Sequence, residues 1–439
     1  MSFFGPISPP VLNEASTPII RRALHRARVV GNFAFVQGVV QVIGFLSGIL
    51  LIRRLDQREY AYFTIANTMQ GTLNVLADIG ISVGLVSIGG RVWQDRHRFG
   101  QLVKTAGGLR RKLGAIAAIV VTPVLYFMLV KNGAPVSFTL ILIALVLAGL
   151  AVQLSLGVLG VVPRLHSDIK RIQTIDLVGA SVRFLILAAL MFVFLNSAVA
   201  VAVGSVTLFL QYWMLRGYAA RVIDFDAPEN DEDRHAMQRF IRHLAANAVF
   251  FCFQGQITVF LISFFGRNVA SVAEVGALGR LAMVFTVLTN LLSNVFGPAF
   301  ARCQDPRRLR WQYAAIVGGV TAVSLVLIAA AVLFPGAFLF VLGAKYGHLE
   351  HELVLMVSGA VIGALTGTFW TLNASKAWIA GSWLYIPLTL AAQMALIPIT
   401  DFSSVRSVLL FNLLSALPNL LLNLALSVRG FASLRRQAA

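Results

Sequence analysis

The stretch VVGNFAFVQGVVQVIGFLSGILLI (residues 29–52) contains no charged side chain. It is long enough to cross a lipid bilayer as a single α-helix. A short basic segment precedes it, with Arg21, Arg22, Arg26 and Arg28. Because the apolar run is far longer than the apolar region of a signal peptide, we expect it to stay in the protein as the first membrane span.

Apolar runs of this kind recur along the whole chain of 439 residues. We predict twelve membrane spans, at residues 29–52, 60–89, 113–130, 136–162, 174–195, 197–215, 246–265, 276–300, 314–334, 353–372, 382–399 and 405–427. The composition agrees, since 58% of the residues are hydrophobic and only 12% are charged, against roughly 25% charged in a soluble domain. A soluble enzyme, a disulfide-linked secreted domain and a disordered chain are thereby excluded, and an all-α polytopic membrane protein is expected.

The distribution of basic residues indicates how the chain is oriented. Most of the 36 Lys and Arg residues lie in loops that are cytoplasmic if both termini are cytoplasmic. We therefore expect an N-in/C-in protein of the bacterial inner (plasma) membrane. This arrangement accounts for the net charge of +18 without a nucleic-acid partner. The chain lacks a Walker motif and metal-ligand spacing, so we expect no metal, no cofactor and no enzymatic activity.

The two halves of the chain resemble each other when the sequence is shifted by half its length. The aligned polar pairs are Asn32 with Asn247, Gln41 with Gln256, and Glu59 with Glu274. Six spans per half make the halves enter the membrane in the same direction, which predicts two parallel six-helix lobes around a central cavity. The predicted organisation is a cytoplasmic N-terminal segment (1–28), an N-lobe (29–215), a cytoplasmic linker (216–245), a C-lobe (246–427) and a cytoplasmic tail (428–439). The acidic run at 224–233 is interpreted as part of a solvated linker.

Polar side chains form stripes along one face of several predicted spans. Such side chains are costly in lipid, so they face either a hydrated cavity or a neighbouring helix with which they form hydrogen bonds. Stripes in both halves favour the cavity. The candidate substrate-binding amides are Gln37, Gln41, Asn67, Gln70, Asn74, Asn247, Gln254, Asn412 and Asn419.

Three ionisable residues within the predicted spans are functional candidates. Arg183 and Arg280 are candidate ligands of a phosphate or pyrophosphate, since a guanidinium group matches phosphate oxygens bidentately. The alternatives are an ion pair between Arg183 and an acid on another helix, and extension of Arg280 to the outer interface. Asp78 is the candidate ion-coupling residue, with pairing to Arg183 and helix capping as alternatives.

Three short segments carry a resemblance to a known family: RRLDQREY (53–60), LADIG (76–80) and ASVAEVGALGR (270–280). Together with the twelve-span layout, they resemble the polysaccharide flippases. These are the O-antigen and exopolysaccharide translocases of the multidrug/oligosaccharidyl-lipid/polysaccharide exporter superfamily. The resemblance implies a V-shaped cationic cavity that moves an undecaprenyl-pyrophosphate-linked oligosaccharide by alternating access. It also implies contacts with membrane lipid and with the glycan polymerase machinery; we expect a monomer.

An ion-coupled multidrug or small-molecule antiporter of the same fold is the alternative. Multidrug exporters of the superfamily often carry an acid in the first or the seventh span, whereas residues 29–52 and 246–265 contain none. Such an antiporter would depend on Asp78. A membrane-bound glycan polymerase or ligase would need a large outer loop, and the predicted outer loops are short.

Overall fold

The computed structural model describes residues 19–438 except 167, 267, 283–284, 286–299, 301–302, 304 and 377. Side chains are described from residue 35 to residue 434, with 169, 243 and 306 also left out. Within this part of the chain the regular structure is helical and contains no strand. The predicted all-α fold class is thereby confirmed.

The described part of the N-terminal half contains eight helices. They are α1 (Ile19–Arg54), α2 (Gln57–Asp78), α3 (Ile81–Val92), α4 (Arg96–Lys131), α5 (Val136–Leu159), α6 (Val161–Leu165), α7 (Ile169–Leu190) and α8 (Ser197–Val222). The described helices of the C-terminal half are α9 (Asp231–Phe265), α10 (Val269–Leu281), α11 (Pro306–Leu333), α12 (Pro335–Leu342), α13 (Glu350–Ser375), α14 (Tyr385–Leu396) and α15 (Val405–Ala438).

Ten described helical segments are long and apolar enough to cross a membrane, and α2 with α3 forms a bent pair that adds an eleventh. All predicted spans except 276–300 correspond to one of these. The predicted span 276–300 begins within α10, and most of its remainder lies outside the described residues. The chain is therefore a multi-pass membrane protein.

The break in the second span lies at Ile79 and Gly80, where α2 and α3 meet at 45°. Gly80 adopts a φ of +83°, a left-handed conformation that favours glycine. A Cβ atom at Gly80 would also lie only 2.8 Å from a methyl group of Leu244 in α9. The span therefore bends at a residue whose backbone conformation and close packing both favour glycine.

Short polar side chains begin the long helices. Asp56, Asp95, Asn196, Asn230 and Asp305 each accept a hydrogen bond from a main-chain N–H group in the first turn of the following helix. Such caps satisfy N–H groups that have no partner within the helix. They fix the points at which the chain turns back into the membrane.

The two halves share a core at the end of the bundle where α1 stops and α2 starts, here called the α1–α2 end. Tyr60 and Phe63 of α2, Ala273 and Leu278 of α10, and Tyr346 after α12 are buried there in one apolar cluster. At the opposite end, one cluster surrounds Phe99, Leu102 and Met237, and a separate one surrounds Phe300, Leu309 and Leu372. Among the described residues, the largest core that the two halves share therefore lies at the α1–α2 end, while Met237 of α9 packs against the N-terminal half at the opposite end.

Two cations join the halves at the α1–α2 end. Arg53 of α1 donates hydrogen bonds from Nε to the carbonyl of Val341 (3.1 Å) and from Nη2 to that of Phe340 (2.7 Å), in the last turn of α12. In return, Lys345 donates from Nζ to the carbonyl of Leu55, just after α1 (2.6 Å). Each half thus places a cation on carbonyls at a helix C-terminus of the other, where positive charge is favourable.

The acidic run at 224–233 is exposed at Asp226, Glu229, Asp231 and Glu232, as expected of a solvated linker, but its last residue is held by α4. Its last residue, Asp233, lies in the first turn of α9 and accepts hydrogen bonds from both Nη atoms of Arg98 in α4, with Nη2–Oδ1 at 2.7 Å. Only 5% of the Asp233 side chain is exposed. The main-chain N–H of Asn230 donates to Thr105 Oγ1 (2.9 Å). The end of the segment is therefore fastened to α4 through Asp233 and Asn230.

Candidate substrate cavity of the N-terminal half

A polar cavity in the N-terminal half has two adjoining chambers. The upper chamber, of about 400 Å³, lies nearer the α1–α2 end between α2, α7 and α8. The lower chamber, of about 270 Å³, lies between α4, α5, α6 and α7. Four residues line both chambers: Gln153, Asp176, Leu208 and Gln211. The two chambers therefore adjoin along these residues, and together they are called the path.

Arg183 lines the upper chamber from the middle of α7. Its Nε atom is buried, and among the described residues no acceptor satisfies it. Asp176, on the same helix, lies seven residues earlier, which is about 10 Å along the helix axis. The predicted alternative, an ion pair between Arg183 and an acid, is not found in the described part of the chain. Arg183 is thus a cation within a polar chamber whose described neighbours leave it unpaired.

Arg280 reaches from α10 to α1 and α2, beside the upper chamber but not among its lining residues. Its Cδ atom lies 3.2 Å from the place of a Cβ atom on Gly48. Its guanidinium carbon lies 5.9 Å from the ring centre of Phe63, a cation–π distance. Arg280 is also near enough to Arg183 for the two positive charges to repel each other. The two candidate arginines therefore approach one another from opposite halves of the protein.

The polar stripe on α2 forms one wall of the path. Asn67 and Gln70 line the upper chamber, and Asn74 lines the lower one. Asp78 ends the stripe, where it accepts a hydrogen bond from Ser82 Oγ (2.7 Å). The structure thus brings Asn67, Gln70 and Asn74 to one side of the same cavity, whereas Asp78 lies beyond the residues that line it.

Arg110 is a functional candidate that the sequence analysis missed, because it was counted among the basic residues of a cytoplasmic loop. The structure places it within α4, with only 4% of its side chain exposed. Its Nη2 atom donates to Asn74 Oδ1 (3.0 Å), and its Nη1 atom lies 3.4 Å from Asp78 Oδ1. The predicted alternative partner of Asp78, Arg183, is therefore wrong: the partner is Arg110.

Three glycines make room for the polar side chains of the path. In each case a Cβ atom on the glycine would come within 3 Å of a polar side chain opposite. The approaches are Gly149 to Gln70 Nε2 (2.8 Å), Gly157 to Arg110 Cζ (2.5 Å), and Gly179 to Gln211 Cδ (2.7 Å). Absent side chains on α5 and α7 thus create the space that long polar side chains fill.

The two glutamines of α1 differ in their surroundings. Gln37 donates from Nε2 to Asp176 Oδ2 at 3.4 Å, so it contacts the wall of the path. Gln41, one turn further along, is half-buried and lines neither chamber. Asp176 is therefore held by an amide at the junction between the chambers.

The predicted amides of the C-terminal half do not line either chamber. Gln254 of α9 and Gln393 of α14 form a reciprocal pair of side-chain hydrogen bonds, at 3.1 and 2.9 Å. Asn412 of α15 donates to Thr258 Oγ1 of α9 (2.9 Å). These amides therefore form hydrogen bonds between helices, which is the alternative to a hydrated cavity given above for a polar stripe.

Two further amides of that half are also placed outside the chambers. Asn247 is exposed on α9. Asn419 Oδ1 accepts a hydrogen bond from Asn423 Nδ2 within α15 (2.8 Å). Among the described residues, the cavity that combines amides with unpaired cations is the one in the N-terminal half.

Several solved transporters share this architecture. The inward-facing conformation of a multidrug resistance MATE family transporter of the MOP superfamily superposes with a TM-score of 0.64 at 14% sequence identity, covering 92% of this chain and 100% of that one. The eukaryotic MATE transporter AtDTX14 gives 0.60 at 13% identity, covering 96% and 99%. A MOP superfamily transporter from Pyrococcus furiosus, described as having a binding pocket of reverse polarity that suggests a different function, gives 0.57 at 15% identity, covering 90% and 94%.

No protein-family profile matches the chain, and no curated protein sequence matches it. At identities of 13–15% the structural likeness establishes the fold and leaves the substrate open. The chain therefore has the two-lobe fold of the MATE transporters. The polysaccharide flippase subfamily stays a prediction.

Proposed function

We propose that the protein is a transporter that moves an anionic, amphipathic substrate across the bacterial inner membrane by alternating access. The observation that carries this proposal is Arg183, whose buried Nε atom has no acceptor among the described residues of a chamber lined by amides. An unpaired guanidinium away from water is costly. A phosphate group in the chamber supplies the missing acceptor in bidentate geometry.

The substrate that we propose is an undecaprenyl-pyrophosphate-linked oligosaccharide, used in surface polysaccharide biosynthesis. Its pyrophosphate binds Arg183, with Arg280 nearby on the other half, and its sugars hydrogen-bond to the amides of Asn67 and Gln70. The polyprenyl tail stays in lipid. The resemblance of three sequence segments to the polysaccharide flippases supports this choice, as does the excess of arginine over acid along the path.

The direction of transport follows from the proposed N-in/C-in orientation, which makes the α1–α2 end the outer side. The shared core, together with the contacts of Arg53 and Lys345, closes that side. The lower chamber lies at the cytoplasmic side, where Arg164 of its lining is exposed. A substrate made in the inner leaflet therefore has access to the cavity in this conformation.

The alternative is an ion-coupled multidrug or small-molecule antiporter, and the names of the structural neighbours favour it. Asp176 also favours it, since this carboxylate lies at the junction of the chambers and is available to a proton or a cation. The cationic lining opposes it, because Arg110, Arg164 and Arg183 would repel a cationic drug.

Asp78 remains the proposed ion-coupling residue in either case. Its carboxylate is paired with Arg110 and bonded to Ser82. Protonation of Asp78 would weaken its attraction for Arg110 and free that guanidinium. A coupling role therefore requires the Asp78–Arg110 contact to open during the transport cycle.

The experiment is a lipid-linked oligosaccharide profile of a deletion strain, by extraction and mass spectrometry of its polyprenyl fraction. We expect one undecaprenyl-pyrophosphate glycan to accumulate and the surface polymer to be lost. Wild-type protein and Arg308→Gln, which changes an exposed arginine at the start of α11, should restore export; Arg183→Gln should not. An unchanged lipid pool with raised sensitivity to cationic drugs would instead establish the antiporter.

A further inference from the structure

We infer that the lower chamber is a second anion-binding site, at which the phosphate of the substrate binds before it reaches Arg183. The inference rests on the proposed function, since it assigns a step of the same transport path. Its ligand is a phosphate or pyrophosphate group on a lipid. Arg110 and Arg164 supply the positive charge.

Arg110 has the geometry of a binding residue. Its two Nη atoms are oriented by Asn74 and Asp78, which fixes the plane of the guanidinium. Its Nε atom is buried without an acceptor among the described residues. A guanidinium carries five N–H donors in a fixed arrangement, and two neighbours at two Nη atoms do not saturate them. Arg110 thus lines the chamber with donors to spare.

Arg164 supplies an exposed cation at the mouth of the lower chamber. It lies in α6, the short helix between α5 and α7, and its side chain is exposed. Gly157 and Gly160, which end α5, also line this chamber. The missing side chains there leave room both for the Arg110 guanidinium and for a ligand. A buried and an exposed arginine therefore flank one opening.

The lower site is distinct from the one at Arg183. Asp176, at the junction of the chambers, lies about 10 Å along α7 from Arg183. A single phosphate group at Arg110 and Arg164 is therefore on the far side of this junction from Arg183. The amides of Gln153 and Gln211 line both chambers and form the passage between the two sites.

The acids near the path set the strength of binding. Asp78 already pairs with Arg110, and Asp176 faces the lower chamber. An incoming phosphate therefore competes with these carboxylates for the arginine side chains. Transport through successive sites needs each site to be favourable enough to enter and weak enough to leave. The competing acids keep the lower site in that range.

The lower chamber is large enough for the headgroup of the substrate but too small for the whole substrate. Its volume of about 270 Å³ falls slightly below the usual range for pockets that enclose a drug-sized molecule, about 300–1,000 Å³. A phosphate or pyrophosphate fits this space, whereas the attached sugars do not. Such a group reaches the chamber either on a prenyl-pyrophosphate substrate or on an anionic phospholipid.

The test is calorimetric titration of the protein with inorganic pyrophosphate in nanodiscs of phosphatidylcholine. With Arg183→Gln, which removes the upper site, we expect pyrophosphate binding to persist. Adding Arg164→Gln to that variant should weaken the remaining binding about tenfold or more, the effect of losing one charge-assisted hydrogen bond. Arg110→Gln should do the same. Arg308→Gln, in the same background, is the matched control and should change nothing.

Arg164→Gln keeps the test valid even if Arg110→Gln fails to fold, because Arg164 is exposed. Displacement of pyrophosphate by a prenyl pyrophosphate alone assigns the site to the substrate, as inferred. Displacement by phosphatidylglycerol assigns it to a phospholipid headgroup and overturns its place on the substrate's path. Displacement by neither lipid overturns the inference. So does loss of all binding in Arg183→Gln alone, or binding in that variant that Arg164→Gln leaves unchanged. Absence of any anion binding to the wild-type protein would instead contradict the proposed function itself.

Discussion

The guanidinium of Arg110 occupies the space that a side chain on Gly157 would need. A Cβ atom on Gly157 would lie 2.5 Å from Arg110 Cζ and 2.6 Å from its Nη2 atom, well inside van der Waals contact. The close approach of α5 to α4 at this glycine lets Arg110 reach Asn74 and Asp78 of α2. One missing side chain thus positions a buried cation beside the transport path.

Gly157→Ala should displace Arg110 from Asn74 and Asp78. We expect a loss of about 1–3 kcal/mol in unfolding free energy, the usual cost of overpacking. Thermal unfolding in detergent measures it. Gly107→Ala is the matched control, since Gly107 lies in α4 with nothing within 4 Å of the place of its Cβ atom; that variant should be as stable as the wild type or more so. Equal stability of the two variants would show that Arg110 is not held as described.

Replacing Arg53 and Lys345 by alanine should open the α1–α2 end. Both side chains donate only to carbonyls of the opposite half, so their loss removes contacts between the halves and leaves each half intact. Spin labels are attached at Arg58→Cys in one half and Glu350→Cys in the other, both at exposed positions. The background carries Cys252→Ala and Cys303→Ala, so that no other cysteine is labelled. Double electron–electron resonance then measures the distance between the two labels. We expect a longer distance to become populated.

Arg54→Ala is the control for that experiment. Arg54 is exposed beside Arg53 and has no hydrogen bond or ion pair with the described residues. Its replacement should leave the distance distribution unchanged. If Arg53→Ala and Lys345→Ala also leave it unchanged, the two cations do not hold the halves together.

Asp233→Asn should weaken the attachment of the linker to α4. Asp233 is nearly buried and accepts two hydrogen bonds from Arg98. We expect a loss of about 1–2 kcal/mol, discounted because Arg98 is partly exposed, and faster proteolysis between residues 223 and 231. Asp226→Asn, at an exposed position in the same segment, should be cleaved at the wild-type rate. Identical rates for both variants would argue against the attachment.

The contact between His97 and Asp224 lies outside the membrane-spanning segments. It should shift the titration of the Asp224 carboxyl. The hydrogen bond from His97, at 2.9 Å, lowers the pKa of the Asp224 carboxyl below its usual value of about 3.9. The contact therefore contributes stability above the usual carboxyl pKa and loses it as the pH falls through the lowered value. In His97→Gln, ¹³C NMR of the Asp224 carboxyl should show a higher midpoint than in the wild type. Equal midpoints would mean that His97 does not hold the carboxylate.

The sequence was sufficient to predict the fold, but it did not predict which side chains contact one another inside that fold. Apolar run length predicted the spans, because the thickness of the bilayer fixes the length of a crossing helix. The same criterion misplaced Arg110, since α4 begins at Arg96, well before its apolar run starts. The continuation of a helix beyond the apolar run leaves little trace in hydropathy, so a buried arginine there looked like a loop residue.

The polar stripes show a second limit of the sequence. Asn67 and Gln70 line a chamber, while Gln254 pairs with Gln393 across two helices. Both arrangements have the same helical periodicity, because each needs one polar face. Only the position of the neighbouring helix decides which of these two arrangements forms. The partner of Asp78 was unpredictable for the same reason, since it depends on how α2 and α4 pack.

The most decisive measurement is transport by the purified protein in proteoliposomes. We predict that the wild type moves a fluorescent prenyl-pyrophosphate-linked disaccharide between leaflets, that Arg183→Gln abolishes this movement, and that Arg308→Gln retains it. A wild-type protein that leaves this lipid in place but exports a cationic dye in exchange for protons, with loss of export in Asp78→Asn, would contradict the account.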